Sequence, residues 1–131
     1  LITSSAASDV YKRQIICSVD SVDCYNSKVV QSSMGSLSKV NVVYTDLIKF
    51  IKTTNKKIIG TSLNSNSISD YSFENFDGII VFGSESNGIS REIRKEINDY
   101  ISIPKTASNS TAESLNLSIS VAIFLSKIKG I

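Results

Sequence analysis

The sequence has no histidine and no tryptophan, only one proline, and two cysteines among its 131 residues. Without histidine, the chain cannot build a Ser-His-Asp or Cys-His catalytic group, a histidine-ligated zinc site or a histidine proton shuttle. Cys17 and Cys24 are too few for a four-cysteine metal site. We therefore expect no metal site, and any catalysis must use other side chains.

The net charge is small, and long apolar runs are missing. The 14 basic and 12 acidic residues give a formal net charge of +2, which argues only weakly for an anionic partner and equally suits solvated faces. No apolar run reaches the roughly 18 residues of a membrane span, and no signal-peptide core follows the first residues. This pattern predicts a cytoplasmic protein with reduced thiols and no membrane partner.

Residues 1–14 differ from the rest of the chain. They are rich in Ser and Ala, show no sustained periodicity, and end abruptly where the apolar stretch IICSVD begins. Their segment SAASDVYKRQ resembles translated library-adapter sequence. We therefore expect a non-native leader over residues 1–14 and one partial domain over residues 15–131.

From residue 15 onward, short apolar runs alternate with amphipathic stretches. Runs rich in Ile and Val are typical of strands buried in a parallel sheet, and they occur at residues 15–19, 40–44, 57–61, 78–82 and 100–103. Helices are predicted at residues 26–34, 45–53, 90–98 and 115–128. Candidate N-caps are Thr45 or Asp46 and Ser90. The alternation predicts an α/β fold, with loops over the Ser/Asn-rich segments 62–72 and 106–111.

Three polar segments follow predicted strands, where open parallel sheets bind their ligands. They contain GTSL, GSESNGIS and, after an Ile-Pro pair, SLNLS. GSESNGIS has the glycine spacing of a phosphate loop, but Ile89 and Ser90 stand where Lys and Ser or Thr are required. The segment does not match a dinucleotide-binding fingerprint either, because its glycine spacing is not GxGxxG. Taken alone, Gly83 and Gly88 are also compatible with ordinary turn glycines.

The order of these segments is more specific than any one of them. GSESNGIS at residues 83–90 is followed by a strand, by Ile-Pro at residues 103–104, and by SLNLS at residues 114–118 opening an apolar helix. This pattern resembles motifs 2 and 3 of the SpoU (TrmH-like) branch of the SPOUT RNA methyltransferases, from about residue 15 to the end. The resemblance implies a mostly parallel sheet with helices on both faces and a C-terminal trefoil knot, which periodicity alone cannot indicate.

The resemblance also implies ligands and a reaction. Family members bind S-adenosyl-L-methionine in the knot and transfer its methyl group to a ribose 2′-hydroxyl of tRNA or rRNA. The positions that match cofactor contacts are Thr61, Leu63, Gly83, Ile103 and Leu115. The positions that match polar active-site groups are Glu85, Ser114 and Asn116.

Each of these positions has a physical rationale and a plainer alternative. A glycine at position 83 would let the backbone approach the ligand, and Ile103 and Leu115 would form apolar walls for adenine. Judged from the residues alone, Ile103 and Leu115 are also typical of a core. Ser114 and Asn116 can bind substrate, but both are also suited to capping the last helix.

Two features depart from the family pattern. The motif 1 segment Asn-x-Gly-x-x-x-Arg, whose arginine is implied to activate the hydroxyl, has no counterpart, and the leader stands in its place. Arg13 lies there in a different context, so we do not assign it that role. The polar loop at residues 105–113 is longer than the family spacing. We therefore expect a fragment that lacks its first strand–helix unit.

Three functions stay open on this evidence. The first is a truncated RNA 2′-O-methyltransferase. The second is a non-catalytic knotted module that binds cofactor or RNA, and a flavodoxin-like phosphate-binding domain is a third. The family forms homodimers through the C-terminal helix. The all-round apolarity of residues 117–128 is compatible with that interface and equally with a helix buried inside one chain.

Overall fold

The computed structural model describes residues 2–3, 14–104 and 115–130. The strands in these residues are β1 (Ile2–Thr3), β2 (Gln14–Ser18), β3 (Asn41–Thr45), β4 (Lys57–Ser67), β5 (Gly78–Val81) and β6 (Asp99–Ser102). The helices are α1 (Ser27–Ser33), α2 (Leu47–Thr53), α3 (Arg91–Arg94) and α4 (Leu117–Lys129), and a 3₁₀-helix covers Ser36–Lys39. No helix in this part of the chain is long and apolar enough to cross a membrane.

The strands form one sheet in the order β3-β2-β1-β5-β4-β6. β2 and β3 pair in parallel, and β4 pairs in parallel with both β5 and β6. The two-residue β1 lies between β2 and β5 and runs antiparallel to both. It thereby joins the half of the sheet made of β2 and β3 to the half made of β4, β5 and β6. The prediction of a mostly parallel α/β sheet is therefore confirmed.

Apolar side chains alternate along β4 and β5 and so reach both faces of the sheet. One face carries a cluster shared with α2 and α3, made of Ile51, Ile58, Ile79, Val81, Ile89 and Ile93. The other face carries a cluster shared with α4, made of Ile59, Ile68, Phe73, Ile80, Ile101 and Phe124. Helices therefore cover both faces, as predicted.

The predicted helix starts are confirmed at α2 and α3. Asp46 Oδ1 accepts hydrogen bonds from the backbone N–H groups of Ile48 and Lys49, at 3.0 and 3.1 Å, so the cap of α2 is Asp46 and not Thr45. Ser90 caps α3 in the same way. These caps satisfy backbone donors that have no partner inside the helix.

The prediction of a loop beginning at residue 62 is wrong, because β4 continues to Ser67. The register of β4 against β6 shifts between Thr61 and Asn66, so residues 62–65 leave the regular ladder before pairing resumes. Ser102 restores the pairing, since its Oγ donates to the Ser65 carbonyl at 2.7 Å and its carbonyl accepts from Ile68 N at 2.8 Å. These contacts join residues far apart in sequence, so the local polar composition misled the prediction.

The helix predicted over residues 90–98 is also wrong in extent, because α3 has four residues. The chain leaves the helix to bring Asn98 against Ile58 at the start of β4. Asn98 N donates to the Ile58 carbonyl at 2.9 Å, and Asn98 Oδ1 accepts from Ile58 N at 2.7 Å. This pair of bonds starts the pairing of β6 with β4.

Several predictions fall outside the described residues. They concern Ser114, the long loop at residues 105–113, and most of the leader at residues 1–14. The connection from β6 to α4 passes through residues 105–114, and the C-terminal trefoil knot stays a prediction.

Candidate functional site

β5 and β6 end at one edge of the sheet, beside the middle of the long strand β4, and this edge is called here the carboxyl edge. β4 lies between the other two strands, and its Gly60 is in register with Val81, the last residue of β5. Thr61 lies one residue beyond this level on β4, Gly83 lies two residues after β5, and Ile103 directly follows β6. The sheet order thus places the three predicted cofactor segments side by side.

The side chains at the carboxyl edge have different surroundings. Thr61 is half-buried, and its Oγ1 donates to the Val81 carbonyl at 3.2 Å, so this hydroxyl bonds within the sheet. Leu63 is 54% exposed, although it is apolar. Ile103 is partly buried and packs against the cluster that contains Phe124. Leu63 and Ile103, two of the positions that the resemblance assigns to the cofactor, thus both keep some apolar surface exposed.

Residues 83–90 form a closed turn, called here the glycine hairpin. Ser84 N donates to the Gly88 carbonyl at 3.1 Å, and Gly88 N donates to the Ser84 carbonyl at 2.9 Å. Gly88 has φ = +66°, in the left-handed region that glycine favours. Glu85 lies exposed at the tip, and its carboxylate accepts no hydrogen bond from the described residues.

Gly83 is required by the hairpin itself. A Cβ on Gly83 would clash with the carbonyl carbon of Gly88 and would lie 2.6 Å from the backbone nitrogen of Ile89. The sequence suggested that this glycine makes room for a ligand. In the structure, the space beside it is filled by the returning strand of the hairpin, so the glycine first serves to close the turn.

The start of α4 carries the last predicted site residues. Asn116 caps the helix: its Oδ1 accepts from Ser118 N at 2.9 Å, which leaves the amide nitrogen available for other contacts. Leu115 is 47% exposed. No hydrogen bond in the described part of the chain joins Asn116 to Glu85 or Thr61. The structure therefore places Thr61 and Leu63 on β4, Gly83 and Glu85 in the hairpin after β5, and Ile103 after β6, while Leu115 and Asn116 lie at the start of α4.

The helix α4 is tied to the carboxyl edge by an aromatic contact. Phe124 is 1% exposed, and its ring meets that of Phe82 edge to face, with centroids 5.4 Å apart. Phe82 directly precedes Gly83, so the helix packs against the base of the glycine hairpin. Of the two alternatives for this helix, burial inside one chain does not hold for its first turns, since Leu117 and Ile119 are 37% and 52% exposed.

Two residues near the carboxyl edge were not found by sequence reasoning. Ser65 Oγ is buried and has no hydrogen-bond partner among the described residues, and buried hydroxyls normally have one. Arg94 Nε donates to the Ile89 carbonyl at 2.8 Å and so lies against the glycine hairpin. No local pattern marks Ser65. The position of Arg94, four residues after GSESNGIS, is a usable signal.

The charged pairs of the described residues lie at the opposite edge of the sheet, where the strands begin. Lys57 Nζ and Asp99 Oδ2 are 2.6 Å apart, and Lys56 pairs with Asp77. The hydrogen bond with Asp99 is the main reason that the pKa of Lys57 is raised, and Tyr71 adds to it. The described residues contain no group of three His, Cys, Asp or Glu side chains placed to hold a metal ion. Apart from Glu85 and the basic residues of α3, the side chains at the carboxyl edge are thus apolar or polar without charge.

Comparison with known proteins identifies this architecture. The model of the SpoU rRNA Methylase family matches residues 4–126, beginning inside the predicted leader. A Porphyromonas gingivalis protein assigned to the TrmH family of RNA methyltransferases is 32% identical, over 88% of this chain and 47% of that chain, with a TM-score of 0.73. No curated protein sequence matches the chain.

Two further solved structures share the fold. An AdoMet-bound rRNA methyltransferase from Sinorhizobium meliloti is 21% identical, over 89% of this chain and 45% of that chain, with a TM-score of 0.77. The AdoMet complex of the SpoU methyltransferase AviRb from Streptomyces viridochromogenes is 24% identical, over 89% and 49%, with a TM-score of 0.72. The chain thus spans about half the length of these three solved proteins. Because the family model covers nearly all of the chain, this protein belongs to the SpoU rRNA methylase family.

Proposed function

We propose that this protein takes part in methyl transfer from S-adenosylmethionine to RNA, with a ribose 2′-hydroxyl as the acceptor. The observation that carries the proposal is the carboxyl edge, where the glycine hairpin follows β5, with Leu63 on the neighbouring β4 and Ile103 directly after β6. Membership of the SpoU rRNA methylase family supports RNA as the substrate. Two of the similar structures contain AdoMet, which supports the cofactor.

The residues at the carboxyl edge fit S-adenosylmethionine chemically. Exposed Leu63 and half-buried Ile103 offer apolar contacts for adenine, as cofactor sites generally do. Ser65 Oγ, buried and without a described partner, is suited to bond a polar group of the ligand. The glycine hairpin presents backbone N–H and carbonyl groups beside them. When bound, the cofactor supplies a methyl group on a positively charged sulfur.

The roles of the polar residues follow from what the accepting ribose hydroxyl requires. A ribose hydroxyl must be held in line with the methyl group and must lose its proton. We assign Glu85, which is exposed at the tip of the hairpin, the role of binding that hydroxyl or orienting a basic group. Asn116 can donate a hydrogen bond to the substrate through its free amide nitrogen. Ser114 completes the set that the family pattern predicts.

We also propose that two copies pair through α4. The segment that opens this helix exposes three large apolar side chains, those of Leu115, Leu117 and Ile119. An isologous contact would remove all three from water in both copies. Sedimentation velocity should show a dimer, and a monomer at every concentration would contradict the pairing.

Methyl transfer is tested by titrating the chain with S-adenosylmethionine in a calorimeter and then following tritium transfer to unfractionated tRNA and rRNA. We expect binding, and label that survives alkaline hydrolysis in dinucleotides, because a 2′-O-methyl group blocks cleavage of the adjacent phosphodiester. Label released in single nucleotides would contradict the ribose as acceptor. Binding without transfer would favour the second candidate, a module that binds cofactor or RNA without catalysis.

The role of Asn116 is tested by separating capping from substrate binding. Asn116→Ala should cost about 1 kcal/mol of stability, whereas Asn116→Ser should keep the cap. Both should lower methyl transfer about tenfold, because both lack the amide nitrogen. Asn26→Ala is the matched control, since Asn26 caps α1 through the same bond to the residue two positions on. A fully active Asn116→Ser variant would disprove the substrate role.

A further inference from the structure

The exposed side of α3 carries three basic residues beside the glycine hairpin. Arg91, Arg94 and Lys95 are exposed and are called here the basic face. Lys95 continues the helical spiral, with φ = −68° and ψ = −23°. At helical spacing the three side chains fall within about 100° of arc, and Glu92 falls outside that arc, about 60° beyond Lys95. The charges of this short helix are therefore segregated, and the positive side is the one that includes Arg94.

Arg94 is held against the glycine hairpin. Its Nε donates to the Ile89 carbonyl at 2.8 Å. Its Nη2 lies 3.6 Å from the place that a Cβ of Gly88 would occupy. Ile89 is itself buried, so the carbonyl that orients the guanidinium belongs to a fixed part of the chain. The guanidinium is thus positioned beside the hairpin whose tip carries Glu85.

The basic face has no acidic partner in the described part of the chain. None of its three residues forms an ion pair there, and the single hydrogen bond of Arg94 goes to a neutral carbonyl. The remaining N–H donors of an arginine form a planar fork that matches two phosphate oxygens. An oriented guanidinium without a carboxylate is a site for an anion, and here that site adjoins the carboxyl edge.

We propose that Arg94, with Arg91 and Lys95 beside it, binds a backbone phosphate of the RNA substrate next to the glycine hairpin. The inference rests on the proposed function and adds to it the surface that holds the RNA. A phosphate bound at the basic face places the adjoining nucleotides beside Glu85. Binding of this kind depends on the phosphate and not on base sequence, so it fixes position without selecting the nucleotide.

The test compares three variants of the full chain in filter binding with unfractionated tRNA and rRNA over a range of NaCl concentrations. Arg94→Gln should weaken RNA binding about tenfold and reduce the slope of log affinity against log salt by about 0.7 to 0.9, the loss of one phosphate contact. Arg94→Lys should keep the charge but recover binding only in part, because lysine lacks the fork. S-adenosylmethionine affinity, measured by calorimetry, should not change.

Lys52→Gln is the matched control, because it removes one exposed positive charge from the last turn of α2. That helix begins where β3 ends and runs back toward the start of β4, so Lys52 lies away from the carboxyl edge. Its RNA affinity and salt slope should equal those of the wild type. Equal losses in Lys52→Gln and Arg94→Gln would show an effect of net charge alone and would overturn the site.

Other outcomes separate this inference from the proposed function. Wild-type RNA affinity and salt slope in Arg94→Gln would overturn the inference, even if the chain transfers methyl groups. Parallel losses of RNA and cofactor affinity would show that Arg94 only supports the hairpin, and would overturn the phosphate contact. If the wild-type chain binds neither RNA, the inference also fails. If RNA binding depends on Arg94 but no methyl group is transferred, the proposed function fails alone.

Discussion

The two halves of the sheet differ in how completely they are buried. Around β4, β5 and β6, apolar clusters cover both faces, and Ile59, Ile79 and Ile101 are fully buried. Around β2 and β3, the only fully buried apolar side chain in the described residues is that of Ile16, and α1 buries none of its residues. The chain between residues 19 and 34 instead exposes Val19, Val22, Tyr25, Val30 and Met34.

The difference does not come from the strands themselves. β3 contains adjacent valines, much as β5 contains adjacent isoleucines, yet the β3 side chains are at most half-buried. Burial depends on what packs over a strand. Helices α2, α3 and α4 cover the second half, whereas α1 contributes no buried residue to the first. The half with complete packing is the one that carries the candidate site, where a precise geometry is needed.

The largest effect should come from removing an aromatic ring from the well-packed half. Phe124→Ala should cost about 3 to 5 kcal/mol of unfolding free energy, because it leaves a cavity under Phe82. Tyr25→Ala should cost less than about 0.5 kcal/mol, since that ring is 78% exposed. Urea denaturation measures both. Similar losses in the two variants would mean that the halves are packed alike.

A glycine substitution in each half should give a smaller contrast. Gly83→Ala should cost about 1 to 3 kcal/mol and weaken S-adenosylmethionine binding, because the new Cβ meets the backbone of Gly88. Gly35→Ala should cost only about 1 to 2 kcal/mol, for its left-handed backbone, and should leave cofactor affinity unchanged. Calorimetric titration of the two variants with S-adenosylmethionine measures this difference in cofactor affinity. Unchanged cofactor affinity in Gly83→Ala would separate the hairpin from the cofactor site.

The smallest effect concerns Cys17, which is half-buried in β2. Burial is the main reason that the pKa of its thiol is raised, and Cys24 nearby adds to it. Because the folded-state pKa lies above the unfolded one, the stabilising contribution is full below the ordinary pKa of a thiol. It is lost as pH rises through the raised value. Urea midpoints should therefore fall slightly over that alkaline range.

The control for this pH dependence is Cys17→Ser. In that variant, the part of the fall in urea midpoint that is due to the thiol should disappear. Tyr44 is retained in that variant, and its pKa is also raised, mainly by desolvation, so a residual fall at higher pH is expected. In a Cys24→Ser variant, alkylation of Cys17 should require a higher pH than alkylation of an unfolded thiol. Equal reactivity in the folded and unfolded states would mean that β2 is as open as a loop.

Prediction from sequence worked where the signal is local. Five apolar runs became strands within one or two residues at most limits, and Asp46 and Ser90 cap their helices because each bonds N–H groups within three residues. It failed where distant residues decide. Ser102 holds the end of β4 in the sheet, and Asn98 ends α3 by bonding Ile58. Neither contact can be recognised from the residues of segments 62–72 and 90–98, which the sequence predicts to be a loop and a helix.

The amino-acid sequence by itself determined the α/β class, the order of elements and the segments of the candidate site, because apolar spacing and capping act over a few residues. Only the tertiary structure decided that β4 lies between β5 and β6, that Gly83 closes a hairpin against Gly88, and that Arg94 faces that hairpin. Strand order, close backbone approach and the direction of a long side chain depend on contacts across the folded chain. Such contacts exist only once the sheet has formed.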